Sequence, residues 1–228
     1  MEIKVKSLLT AIFSMTLLTV SAQASSVVAP VELDPGSSVS ALPNGFSSGD
    51  GVSSTTLFDD TLGFSFINGP SGSLRERVID YADTPSVNHP GLYFDYEIQL
   101  TSDSVAAFTI TGYDTLQTFV KLCGISGCGG SGANGLAATD ASRSSDGNQI
   151  TFDFGTPLTA GEYSANLQIF ASASSFIDPP AFFTDVSGNS FSIDVVAPAL
   201  PEPSTYALML AGLGALGFAA RRRKGITV

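Results

Sequence analysis

Tryptophan is absent from the 228 residues, histidine occurs once and cysteine only twice. Each scarcity removes a class of chemistry. A zinc site takes about four ligands of suitable type. Here Cys123 and Cys128 flank a single Gly-Ile-Ser-Gly stretch, with no second pair and no His cluster, so no metal ligand is assigned. A Ser–His or Cys–His catalytic pair would have to use His89, which lies between Asn88 and Pro90 in a turn signal. No Gly-x-Ser-x-Gly elbow accompanies it. Carboxylate pairs such as Asp59-Asp60 suit glycoside hydrolysis in principle, but a chain this acidic makes coincidental pairs inevitable. The missing tryptophan also removes the commonest sugar-stacking platform. The expectation is a protein that is not an enzyme.

Positive charge is equally scarce where it would matter for binding. Ten Lys and Arg stand against 21 Asp and Glu. Lys4 and Lys6 precede the first apolar run, and Arg221, Arg222, Arg223 and Lys224 follow the last. Only Arg75, Arg77, Lys121 and Arg143 remain between them, against nineteen carboxylates, a formal charge of −15 for the body. Nucleic acid and anionic lipid are bound through Lys and Arg, so the body is not expected to bind either.

Both ends read as targeting segments. Residues 1–24 have a basic start, a largely apolar run from Leu8 to Val20, and Ala22-Gln23-Ala24, a small-x-small cleavage pattern. This is the layout of a signal peptide cleaved after Ala24, with the Sec translocon and signal peptidase as partners. At the other end Pro201-Glu202-Pro203 precedes an apolar stretch from Tyr206 to Ala220 and then Arg221-Arg222-Arg223-Lys224. A helix of that length rises roughly 22 Å, short of a hydrocarbon core about 30 Å thick. The basic cluster is expected to stay cytoplasmic, leaving the body on the far side.

The ordered triad of Pro-Glu-Pro, a short Gly- and Ala-rich apolar helix and an arginine cluster resembles the PEP-CTERM sorting domain. That signal belongs to exported proteins of Gram-negative bacteria that make extracellular polysaccharide. The resemblance covers about Leu200 to Lys224. It implies that a membrane-embedded exosortase recognises Pro201, Glu202 and Pro203 and processes the protein during sorting. The precursor would be held in the inner membrane, and the mature protein would reach the cell surface or extracellular matrix. The residue types suit such a role: two prolines restrict φ around one carboxylate and hold it in an extended segment. Ala207, Ala211, Ala215 and Ala219 recur at four-residue spacing, which allows close approach of another membrane helix. Phe58-Asp59-Asp60-Thr61-Leu62 loosely resembles a Phe-x-Asp-x-Phe signature found in some ectodomains that carry this signal, with Leu62 in place of the second Phe.

Between the ends, apolar and polar residues alternate with period two. Leu92, Phe94, Tyr96, Ile98 and Leu100 point one way, and Tyr93, Asp95, Glu97 and Gln99 the other. Similar runs occupy 150–154, 163–169 and 191–195, with shorter candidates at 62–67, 77–81, 105–113 and 116–122. Successive side chains of a strand face opposite sides of a sheet, so this pattern predicts half-buried antiparallel strands. Turn signals at Asn68-Gly69-Pro70, His89-Pro90-Gly91, Asp146-Gly147-Asn148 and Ser187-Gly188-Asn189 separate the runs.

The expected fold is all-β: a single antiparallel β-sandwich, jelly-roll or Ig-like in outline. It is flanked by the signal peptide and a C-terminal transmembrane sorting helix. The expected organisation is 1–24 signal peptide, 25–55 Ser/Gly/Pro-rich lead-in or edge, and 56–196 body. A Pro-rich stalk with the Pro-Glu-Pro motif then spans 197–204, a membrane helix 205–220 and a basic tail 221–228.

In an oxidising compartment two cysteines as close as Cys123 and Cys128 are expected to form a disulfide. No cofactor is expected except for calcium, whose oxygen ligands the loop Asp140 to Asn148 contains without the EF-hand spacing. The resulting expectation is a non-enzymatic exported surface or matrix protein contributing to biofilm or exopolysaccharide architecture. The alternative is a carbohydrate-binding module using aromatics such as Tyr93 for stacking on extracellular polysaccharide.

Overall fold

The computed structural model describes residues 30–40, 42, 54–81, 91–123, 135–199, 209–213 and 215, with Tyr81 and Cys123 by backbone alone. Among them Val31–Glu32 (β1) and Ser38–Ser40 (β2) come first, then the long hairpin of Ser54–Ser65 (β3) and Ser71–Tyr81 (β4). Leu92–Ser102 (β5), Ser104–Ile110 (β6), Thr118–Cys123 (β7) and Asp140–Arg143 (β8) follow. Next are Ile150–Thr159 (β9), Asn166–Ala171 (β10), Phe176–Ile177 (β11), Pro180–Thr184 (β12), Ser190–Asp194 (β13) and Ala197–Pro198 (β14). One six-stranded sheet has the order β1-β7-β10-β5-β4-β3, a second has β13-β12-β6-β9-β8-β2, and β11 and β14 form a ribbon. Every strand pairing is antiparallel, so the described residues form a mostly β, antiparallel structure as expected.

Alternation fills one core from both sheets. Leu92, Phe94, Tyr96, Ile98 and Leu100 of β5 are buried together with Phe108, Phe152 and Phe183 of the second sheet. Phe64 of β3 stacks on Phe183 of β12 at 4.6 Å between ring centroids, and Phe183 stacks on Phe108 of β6 at 5.0 Å. Tyr96 meets Phe108 edge-on at 5.8 Å. Such aromatic pairs contribute about 0.5–1.5 kcal/mol each beyond the area they bury.

Three of the turn signals join paired strands, Asp146-Gly147-Asn148 between β8 and β9 among them. Asn68 adopts a left-handed φ of 57° between β3 and β4, while Gly188, with φ 83°, donates to the Asp185 carbonyl between β12 and β13.

Several strands differ from the sequence expectation. The segment expected from Leu62 belongs to a strand that begins at Ser54. Its Ser, Thr and Asp residues lie on an exposed edge where no apolar face is required. β8 was not anticipated, because Asp-Ala-Ser-Arg turns Ala141 and Arg143 inward and an inward arginine breaks the apolar pattern. β12 opens on Pro180, which belongs at a strand start. Residues 197 and 198, expected in a Pro-rich stalk, lie on the body: Val195, Val196 and Ala197 are buried, and Ala197–Pro198 pairs with Phe176–Ile177.

Arg143 ties the edges of both sheets together. Its Nε donates to Gly147 O at 2.9 Å, and Nη1 donates to Leu33 O at 3.0 Å and Thr118 Oγ1 at 2.9 Å. Nη2 donates to Tyr113 O at 2.7 Å and Leu116 O at 2.8 Å. All five guanidinium N–H donors are thereby used. Leu33 lies between β1, on the edge of one sheet, and β2, on the edge of the other.

Candidate functional site

The segment that leads from the body toward Pro201-Glu202-Pro203 is held by side chains as well as by backbone. Val195 N donates to Pro179 O at 3.0 Å, and Ala199 N donates to Ser175 O at 2.9 Å. Between them, Val196 N donates to Glu76 Oε2 at 2.9 Å, and the Tyr96 hydroxyl donates to Val196 O. Glu76 shares the core-facing side of β4 with Leu74 and Val78, and Tyr96 lies on the core face of β5. Burial pushes the Glu76 carboxyl above its ordinary value, against the opposing effect of the Val196 amide. Burial likewise raises Tyr96 far above the usual phenol range, which keeps it a donor. We call residues 195–199 the strap. Sequence reading missed both side chains that button it. The available signal was a carboxylate in core register between Leu74 and Val78.

The opposite face of the first sheet carries a polar cluster. Arg75 bonds Asp59 through two contacts, 2.9 Å from Nε to Oδ1 and 2.7 Å from Nη2 to Oδ2. Arg77 pairs with Asp95 Oδ2. Asn166, with its amide oriented to satisfy both neighbours, donates to Glu97 Oε2 at 3.1 Å and accepts from Arg77 Nη2 at 3.1 Å. Asp95 is 2 % exposed, and its Oδ1 has no hydrogen-bond partner among the described residues. Burial therefore outweighs Arg77 and raises the Asp95 carboxyl to about 6. Glu97 is also raised by burial.

This face corrects one expectation. Tyr93 was expected to be exposed for stacking on sugar, but it is 3 % exposed. Its ring packs edge-on against Phe170 and its hydroxyl donates to Gln168 Oε1. Asp59 and Asp60 do not form a carboxylate pair. Adjacent strand residues face opposite sides, and Asp59 is engaged by Arg75 while Asp60 Oδ1 accepts from Thr61 N.

In the calcium-type loop, Asp140 belongs to β8. Asp146 Oδ1 accepts from Ser144 Oγ and Asn148 N inside its own turn. Among the described residues no group of three or more His, Cys, Asp and Glu is arranged to hold a metal ion.

The remaining predicted site residues lie outside the described ones: Ala22, Ala24, His89, Cys128, Pro201, Glu202, Pro203, Arg221, Arg222, Arg223 and Lys224. Cys123 ends β7, and its side chain is likewise outside the description. Of the expected membrane helix, residues 209–213 and 215 are helical, and Met209, Leu210 and Leu213 are exposed. Among the described residues no helix is long and apolar enough to cross a membrane.

No curated protein and no solved structure matches the chain. One family model does, that of the PEP-CTERM protein-sorting motif, over residues 199–224. The match begins at Ala199, the last residue of the strap. The chain therefore carries the PEP-CTERM protein-sorting motif at residues 199–224, the mark of an exported protein sorted by an exosortase.

Proposed function

We propose that this is a non-enzymatic surface or extracellular-matrix protein, built on a β-sandwich body and contributing to biofilm or exopolysaccharide architecture. The observation that carries the reading is the sorting motif joined directly to an antiparallel β body. It is supported by the outer face of the first sheet, where the charged and polar side chains engage one another. In this reading a signal peptide is removed after Ala24, residues 205–220 anchor the precursor in the inner membrane, and Cys123 and Cys128 form a disulfide after export.

The test is Glu202→Gln. A plain anchor needs only apolar length and flanking charge, whereas an enzyme reading the motif loses a charge-assisted contact. That loss costs about 1.5–3 kcal/mol, roughly 10- to 150-fold in recognition. The variant is expected to accumulate as precursor with Arg221–Lys224 still attached, detected by mass spectrometry of the C-terminus. Maturation at the parental rate would return the segment to the status of a simple anchor.

A second reading, a carbohydrate-binding module, is favoured by a cavity of about 310 Å³ lined by Leu136, Gly161, Glu162 and Tyr163. Tyr163 Oη accepts from Gln99 Nε2 at 2.6 Å, which fixes the ring at the cavity wall. Binding on a glycan array that Tyr163→Ala abolishes would establish this reading; a blank array would leave the architectural one.

A further inference from the structure

The strap ends where the sorting motif begins. Ala199 N is bonded to Ser175 O, and only Leu200 separates Ala199 from Pro201. Two extended residues span at most roughly 7 Å. While the strap is docked, Pro201 cannot lie farther than that along the chain from a residue fixed to the body. An enzyme that reads a peptide encloses it on several sides, and a folded domain this close obstructs such a cleft. Releasing residues 195–199 would lengthen the free chain by five residues.

We propose that the strap is a gate on the sorting motif. Docked on the body, it withholds Pro201-Glu202-Pro203 from exosortase, and its local opening delivers them. The inference rests on the reading of residues 199–224 as an exosortase-sorted motif.

The strap is five residues long, from Val195 to Ala199, and its contacts with the body are few enough to name. It contributes only two residues to a ladder, Phe176↔Pro198 and Ile177↔Ala197. The rest of its hold comes from the backbone bonds of Val195 N to Pro179 O and Ala199 N to Ser175 O, from the Glu76 and Tyr96 bonds to a single residue, Val196, and from the burial of Val195, Val196 and Ala197. Glu76 and Tyr96 are thus positioning residues for processing. Recognition by the enzyme falls in proportion to the fraction of molecules with the strap open, as for any ligand that selects a minor state.

A reversible lock tests this directly. Antiparallel partners have Cα atoms about 4.5–5.5 Å apart, within disulfide range. The double variant Ile177→Cys with Ala197→Cys, made in the full-length chain, joins strap to body. In membranes containing exosortase, the oxidised variant is expected to be processed at least tenfold more slowly than the parent and to recover on reduction. Inserting six Gly and Ser residues between Ala199 and Leu200 of the locked variant should restore processing without reduction, because the motif is then free while the strap stays docked.

Parental-rate processing of the oxidised lock overturns the gate. So does a locked variant that stays stalled after the insertion, since the obstruction then lies elsewhere. Glu202→Gln in the same assay separates this inference from its foundation. If that variant matures normally, the sorting reading fails; if it stalls while the lock matures, only the gate fails.

Discussion

Arg143 supplies five hydrogen bonds to four backbone carbonyls and one hydroxyl, without a carboxylate among them. Lysine keeps the charge but offers three donors from one point, so Arg143→Lys strands some of these buried acceptors. We expect a loss on the order of 3 kcal/mol in urea unfolding, with no gain in tolerance at high salt. The buried carboxyls set a pH dependence. Asp95 moves from 3.8 to about 6 on folding, and Glu76 and Glu97 shift upward too. A group that holds its proton more tightly when folded contributes most below its unfolded value, and that contribution is lost as pH rises through the folded one. Stability is therefore expected to fall between about pH 4 and pH 6, by on the order of 3 kcal/mol from Asp95. Asp59, lowered by its hydrogen bond to Arg75, acts in the opposite sense only below the ordinary aspartate range. Asp95→Asn should flatten the profile in thermal melts across that window; an unchanged slope would assign it to other groups.

At the level of elements, β4 and β5 leave no room for a side chain at Gly72. A Cβ there would fall 2.0 Å from the Gln99 carbonyl oxygen, beside the register shift between Ser71 and Gly72. Gly72→Ala must push the two backbones apart, and we expect a destabilisation on the order of 2 kcal/mol. Gly63→Ala, on the exposed edge strand β3 with nothing among the described residues within 4 Å, should be neutral or stabilising by up to about 1 kcal/mol. Equal effects in denaturant titrations would refute the assignment. The strand β5 was legible because its five core residues alternate without a break, whereas β8 was not, because its inward positions are Ala141 and Arg143. Period-two reasoning detects apolar burial, and a cation buried in a cage of carbonyls leaves no such trace. The same limit hid Glu76. Tyr93 was misread for the complementary reason: alternation assigns residues to a face but does not say that the face is open to water.

Across the whole molecule, nineteen carboxylates in the body meet four cations, and those four are spent internally or in pairs. The surface is left almost wholly anionic, and its self-repulsion is long-ranged at low salt, where the screening length is about 30 Å against about 8 Å at physiological ionic strength. Raising salt across that range should increase the melting temperature by a few degrees; a flat response would mean that local pairs dominate. The sorting address could be read from the linear chain because Pro-Glu-Pro, the apolar run and the basic cluster act through order and spacing, which folding does not create. The β class was legible for a similar reason, since period two is a local property of the backbone. The strap was decided by tertiary structure alone. The sequence reads as a strand ending at Val195 and a Pro-rich stalk from residue 197 until Glu76, 120 positions away, and Tyr96, 100 positions away, are brought to the two sides of Val196. Contacts between such distant positions depend on how the strands are ordered, and no local pattern encodes that order.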